Sequence, residues 1–391
     1  MRILAIREKT VALGSASRNS SIGFGGMTAS ALAIHTDVVR DGRPVVGLAF
    51  DSIGRYGHGG LLRERFIPRL AAASPESYSD GSGGIDPHKA WAIVMADEKP
   101  GGHGERSGAV GLIDAALWDL KAKLAGEPLW KVLADASGQV TDRQAADGHV
   151  PVYASGGHYR DVDDIKLLCA YISRAVDEGH RRFKIKIGGV TLAEDVARVA
   201  AIHALLGPGM SLAVDGNGTF DRAKTLRYVD ALAPFALAWI EEPVHPLDYD
   251  LHREIAAASP LPLATGENLF SRDDARNLLR HGGLRPERDM LQFDISLSYG
   301  LVEYLRILDD LETHGWSRQR CAPHAGHLFA AHCVAGLGLG LAEVAMDQAS
   351  LFGSLTAHLP LHDGKAVLPD RPGTGLETCP PFQTIFEDLL Q

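Results

Sequence analysis

Apolar positions over the first fifty residues come in short runs of strand type, at 1–13, 29–39 and 44–50, with an Asp41-Gly42 turn between the last two. At 109–125 the period changes: in AVGLIDAALWDLKAKLA apolar residues recur at helical spacing, and Gly126 supplies the stop. Ser, Gly and Asp dominate 74–84, which reads as a loop. These elements predict a small α+β unit over residues 1–135. From about residue 150 short apolar runs alternate with helical stretches such as 193–206 and 273–280. The runs are VPVYASGG (150–157), FKIKIGG (183–189), LAVDGNG (212–218), AWIEEP (238–243), LATGEN (263–268), MLQFDIS (290–296), RCAPHAG (320–326) and LGLGLAEVAM (337–346). Eight such units over 148–375 predict an α/β fold, a (β/α)8 barrel capped by the N-terminal unit, with the C-terminal tail packing back on that cap. A doubly wound open sheet is the rival, but it needs fewer units, and no GxGxxG follows the first run.

Composition narrows the partners. A chain of 391 residues, 45% hydrophobic and 23% charged, can bury a large core of the soluble globular type. The net charge of −10 argues against a nucleic-acid or anionic membrane partner. It leaves open a small anionic substrate, because a bound cation inverts the local field. The cysteines (Cys169, Cys321, Cys333, Cys379) form no CxxC pair and read as reduced, mostly buried thiols. The run 3–6 before Arg7, Glu8 and Lys9 is too short for a signal peptide, and the Gly-rich run 334–346 is too short to span a bilayer. A cytoplasmic protein is expected.

Charged residues fall at the ends of the predicted strands, where a barrel builds its active site. Lys184 and Lys186 lie on the second, Asp215 and Asn217 on the third, Glu241 and Glu242 on the fourth and Glu267 on the fifth. Asp294, His324 and Glu343 follow on the sixth, seventh and eighth. From Lys186 to His324 the steps are 26 to 30 residues, one per βα unit, which sets these groups around a single rim. Three neighbouring carboxylates raise one another's pKa unless a cation intervenes, and an all-oxygen set suits Mg²⁺ rather than Zn²⁺. Asp215, Glu241 and Glu267 are the expected ligands. Lys184 and Lys186, two apart on a strand, share a face, with Ile185 turned to the helix layer. Side by side, the two ammonium groups should depress each other's pKa and suit one to act as a base. Across the rim, Asp294 can orient His324. Taken singly, each feature has a structural explanation: a KxK is usually a solvated strand edge, and a histidine a satisfied core residue. HAGH with His332 is too loosely spaced for a zinc cluster. It is the set, in order around one barrel, that points to chemistry.

On FKIKIGG, LAVDGNG, WIEEP, ATGENLF, LQFDIS and CAPHAGH, the chain resembles the mandelate racemase group of the enolase superfamily over most of its length. That superfamily uses a Lys or His base with Mg²⁺ stabilising an enediolate. Within the group, GRYGHGGLLRERF (54–66), EKPGGHGERS (98–107), ATGENLFSRDDARNLLRHGG (264–283) and LQFDISLSYGL (291–301) are similar to the tartrate dehydratase branch. The resemblance implies that Lys186 removes the α-proton of a hydroxy acid and that Lys184 and Mg²⁺ stabilise the enediolate. His324 then protonates the departing β-hydroxyl, and tautomerisation gives a 2-keto acid, oxaloacetate in the case of tartrate. Asn217 and Glu343 would contact substrate. One departure stands out: that branch leads one to expect an asparagine before GRYG, where this chain has Asp51-Ser52-Ile53. Ile53 cannot donate a hydrogen bond, so the substrate is expected to differ more readily than the chemistry. Lys99 and His103, on a cap loop able to close over the site, are candidates for holding the far end of a diacid. Two alternatives stand beside dehydration: racemisation or epimerisation of a hydroxy acid by the same Lys/His pair, and a non-catalytic carboxylate-binding barrel. A homo-oligomer is expected from the same resemblance.

Overall fold

The structure, a computed structural model, describes residues 1–14, 18–53, 55–137, 147–345 and 351–391. It has an N-terminal cap and a (β/α)8 barrel. Three antiparallel strands open the cap: β1 (Ile3–Ala12), β2 (Thr28–Arg40) and β3 (Arg43–Phe50), with β2 in the centre. Asp41 and Gly42 both adopt positive φ (49° and 74°), the mirror-image turn that matches the twist of a two-residue hairpin. Helix α1 (Pro87–Val94) is capped by the Asp86 carboxylate. Helix α2 (Arg106–Ala125) ends at Gly126 in the left-handed region. It is buried on every side because it lies between the cap sheet and the barrel. Both contacts are close. A Cβ on Gly47 would come within 2.3 Å of the Ala116 carbonyl oxygen, and one on Gly111 within 1.7 Å of that of Ser296. Helix α3 (Leu129–Ser137) leads to the barrel.

The barrel alternates strand and helix: β4 (His149–Gly156), α4 (Asp164–Asp177), β5 (Arg182–Lys186), α5 (Leu192–Leu205), β6 (Ser211–Asp215), α6 (Arg222–Leu232), β7 (Ile240–Glu241), α7 (Tyr249–Ala258), β8 (Leu263–Thr265), α8 (Arg272–His281), β9 (Met290–Leu291) and α9 (Leu301–Thr313). Parallel pairing runs in sequence from β4 to β9. Closure passes through a bridge between Leu291 and Cys321, then from the Cys321 carbonyl to Gly340 N–H (3.0 Å), and finally through β10 (Ala342–Ala345), which pairs with β4. Ile185 and Val214 pack outward against Leu168, Ile172, Val199 and Ile202 of the helix layer. Tyr153, Ala213, Trp239, Ala264 and Ala322 fill the barrel interior, where Tyr153 and Trp239 meet edge to face at 5.3 Å.

The seventh and eighth predicted strands are shorter than the sequence suggests. At 320–326 the pairing reduces to the bridge at Cys321. Over 337–346, helix α10 (Leu328–Leu337) runs to the first residue and strand begins only at Ala342. Gly338, with φ 66°, ends the helix, and Gly340 passes so close to the Gln319 carbonyl oxygen that a Cβ would sit 2.1 Å from it. Residue 346 lies outside the described residues. The loop at 74–84 contains one helical turn, Pro75–Tyr78. After the barrel, β11 (Leu361–His362) and β12 (Lys365–Val367) pair antiparallel, with β12 adding to β4. Helix α11 (Pro380–Leu390) returns to the cap, where His35 Nε2 is hydrogen-bonded to the Leu389 carbonyl at 2.8 Å. Among the described residues, no helix is long and apolar enough to cross a membrane.

Candidate active site

Strand period places both lysines of β5 inside the barrel mouth. Lys184 is ion-paired with Glu241, 3.7 Å from Asp215 and 3.4 Å from Glu343; Lys186 is ion-paired with Asp215. Asp215, Glu241 and Glu267, at the ends of three consecutive strands, each offer a carboxylate oxygen, and these oxygens lie within 4.8 Å of one another. Polar neighbours aim them. Trp239 Nε1 and Gln292 Nε2 donate to Glu241 Oε2 at 3.0 and 2.6 Å, and the Asn217 backbone N–H donates to Asp215 Oδ1 at 2.8 Å. Three buried or half-buried carboxylates with no thiol in the set fit a hard divalent cation such as Mg²⁺.

His324 meets this trio at Glu267, whereas the lysines meet it at Asp215 and Glu241. Its Nδ1 is hydrogen-bonded to Asp294 Oδ2 at 2.9 Å, and its Nε2 lies 3.8 Å from Glu267 Oε2. Asp294 also accepts from the Leu297 backbone N–H at 2.8 Å and from the Ser52 hydroxyl at 2.5 Å. Glu343 accepts from Ala325 N–H at 3.0 Å and thereby fixes the loop beside His324.

Electrostatics correct one expectation. Burial alone would lower both lysines, and Lys184 also lowers Lys186. The facing carboxylates prevail: Glu241 and Glu343 hold Lys184 well above its ordinary range, and Asp215 raises Lys186. Burial disfavours ionised Asp215, yet Lys186 and Lys184 keep its pKa below the usual carboxylate range. Glu241 is pushed up to about 8 by burial, with Asp215 and Glu267 adding to the rise against Lys184. Burial, with Glu267 and Asp215 nearby, also holds Glu242 well above the usual carboxylate range. For His324, burial opposes protonation, but Glu267 and Asp294 lift it to about 9. Glu343, despite burial, is lowered to about 2 by Lys184 and His324.

A cavity of about 250 Å³ lies between barrel and cap. Lys186, His324, Asn217, Glu267 and Glu343 line its barrel side, and Ile53 its cap side. Lys99 and His103 are not brought to it. Lys99 is exposed, and His103 is taken up by Tyr299 (3.0 Å to the hydroxyl) and Asp274 (3.1 Å), which tie the cap loop to the barrel rim. Residues that the sequence did not single out appear in their place. Arg55, Asn268 and His158 line the cavity, and Ser52 supports Asp294. His158 follows the first strand and is pushed down to about 4 by burial and the neighbouring Lys186, so it is neutral. Asn268 and His158 had a signal, since each continues a strand-end motif; Ser52 had none beyond standing beside Ile53, and Arg55 none beyond its place in the GRYGHGGLLRERF segment.

Residues 168–381 match the family described as "Enolase C-terminal domain-like". The chain is 33% identical over 285 residues to the L-talarate/galactarate dehydratase of Salmonella typhimurium, covering 72% of this chain and 66% of that protein, just under two thirds of its length. The crystal structure of a Salmonella typhimurium LT2 L-talarate/galactarate dehydratase liganded with Mg and L-lyxarohydroxamate superposes with a TM-score of 0.71 at 25% identity, covering 95% of this chain and 88% of that one. A racemase from Streptomyces coelicolor A3(2) with bound magnesium superposes with a TM-score of 0.75 at 26% identity, over 97% of this chain and 99% of that chain.

Proposed function

The chain belongs to the enolase superfamily, and from that premise we propose that it is a Mg²⁺-dependent hydro-lyase that converts an α,β-dihydroxy acid, a tartrate or a longer sugar acid, to a 2-keto acid. The observation that carries this reading is the flanking of one carboxylate trio by two proton-transfer groups, Lys186 against Asp215 and His324 against Glu267. Bound at Asp215, Glu241 and Glu267, Mg²⁺ supplies positive charge that competes with Lys186 for Asp215 and offsets the negative charge developing on the substrate carboxylate. Lys186, from its place at the cavity wall, takes the α-proton. Lys184, buried behind it, adds a fixed positive charge to the same end of the substrate. From the Glu267 end, His324 gives its proton to the β-hydroxyl as the C–O bond breaks, and Asp294, bonded to Nδ1, orients the ring and leaves Nε2 to deliver that proton. The electron pair left by the α-proton becomes the C–C double bond of an enol, water leaves, and the enol tautomerises to the keto acid.

The test is a screen of the Mg²⁺-loaded protein against stereochemically defined hydroxy diacids and sugar acids, detecting 2-keto acid. Product from at least one of them is the expected result. Solvent deuterium in recovered substrate without keto acid would replace dehydration by racemisation, which the same flanking pair can perform on an acid lacking a β-leaving group. Ligand binding with neither outcome would leave a carboxylate-binding barrel.

A further inference from the structure

The cap wall of the cavity is built from Asn19, Ser21, Ile22, Phe24, Ile53 and Arg55, and among the described residues there Arg55 is the one charged side chain. Its position is fixed twice. Arg55 Nη2 donates to Asn268 Oδ1 at 2.7 Å, and the guanidinium lies 4.8 Å over the Phe270 ring. Asn268 is in turn anchored to the barrel, donating to Glu242 Oε1 at 2.7 Å, so the cation is registered against the strand-end carboxylates across the cap–barrel boundary. Lys99 and His103 are held away from this space. A guanidinium presents a rigid fork of donors that matches a carboxylate bidentately.

We propose that Arg55 binds the second carboxylate of the substrate, so that this site takes hydroxy dicarboxylates (aldarates) in preference to the corresponding monocarboxylates. The inference rests on the dehydratase reading for the end of the substrate that reacts. It extends that reading to the far end: one carboxylate sits at the Asp215–Glu241–Glu267 trio, the hydroxylated carbons lie between Lys186 and His324, and the other carboxylate meets the cap. Ile53 then contributes shape beside the charge rather than a hydrogen bond.

The test separates binding from turnover. Calorimetric titration of the Mg²⁺-loaded Lys186→Ala protein with galactarate and with galactonate, the same configuration ending in a carboxylate or an alcohol, gives a ratio of affinities. The expected ratio favours the diacid by about 100-fold, the scale of a charge-assisted pair. Arg55→Met in the same background should abolish that ratio and Arg55→Lys should keep part of it, with thermal melts showing that each variant is folded. Equal affinity for the two acids, or a ratio unchanged in Arg55→Met, overturns the proposal. If the ratio behaves as expected but the wild-type protein makes no keto acid from any acid tried, the dehydratase reading fails and the diacid subsite stands.

Discussion

Replacing Asp294 by asparagine keeps the side chain's shape and removes its charge, which should set the two proton transfers apart. Asp294 is buried and takes three donors: the Ser52 hydroxyl and His324 on Oδ2, and the Leu297 N–H on Oδ1. An asparagine turned either way sets its NH₂ against at least one of them. Leaving a buried donor unmet costs about 1–3 kcal/mol of stability, a shift of a few degrees in melting temperature. The catalytic loss should be larger. A carboxylate and a protonated imidazole with charges about 4 Å apart interact by about 4 kcal/mol at an effective dielectric near 20. Without it, keto-acid formation should fall by about 10³-fold. Lys186 does not touch Asp294, so wash-out of the substrate α-proton into D₂O should persist within about a factor of 10 of wild type. Keto-acid assay and proton NMR on the same samples read both quantities. Parallel loss of exchange and elimination would refute the division of labour between Lys186 and His324. An unaffected elimination rate would remove His324 as the acid.

Three further outcomes rest on other contacts. Ser52→Ala removes one donor from the same carboxylate and should lower keto-acid formation by about 10-fold with α-proton exchange intact; loss of exchange as well would mean that the loop had moved. His58 is buried between Asp51 (3.0 Å) and Glu105 (3.4 Å); burial opposes its charge, but these two carboxylates raise its pKa from 6.5 to about 9. A raised folded-state pKa stabilises fully below the unfolded value and is lost as pH rises through the folded one. The stability gap between wild type and His58→Gln, about 3 kcal/mol at pH 6 by this shift, should therefore close between pH 6.5 and 9 in denaturant melts, and a gap flat with pH would contradict the ion pair. Saturating Mg²⁺ at about 100 times its dissociation constant should stabilise the wild-type protein by about 2.7 kcal/mol and raise its melting temperature, whereas Glu267→Gln should lose most of that rise. An equal rise in the variant would place the ion elsewhere.

The rim of the barrel was legible because its chemistry repeats with the fold. One polar group per βα unit, from Lys186 through Asp215, Glu241, Glu267 and Asp294 to His324, follows from strand ends meeting at one mouth, and period-2 alternation put Lys184 and Lys186 inward with Ile185 outward. The cap side was not legible in the same way. Whether Arg55 or Lys99 reaches the cavity depends on how loops pack across two units. Such contacts leave no periodic trace, and no spacing couples Ser52 to Asp294, 242 positions away. The net shift of the lysines is upward rather than downward, because strand position gives their proximity to each other but not how closely Glu241, Glu343 and Asp215 surround them. The last strands ran short where Gly338 and Gly340 serve a helix end and a close backbone approach rather than strand.

In the proposed reaction Lys186 takes a proton from the carbon next to a carboxylate. Proton NMR of a hydroxy diacid that the wild-type protein turns over, incubated with Mg²⁺ in D₂O, addresses it directly with wild type and Lys186→Ala side by side. The wild-type sample should lose the substrate α-proton signal as deuterated keto acid appears, and the Lys186→Ala sample should keep that signal unchanged over the same period. Exchange at a wild-type rate in the Lys186→Ala sample would contradict the assignment of Lys186 as the base.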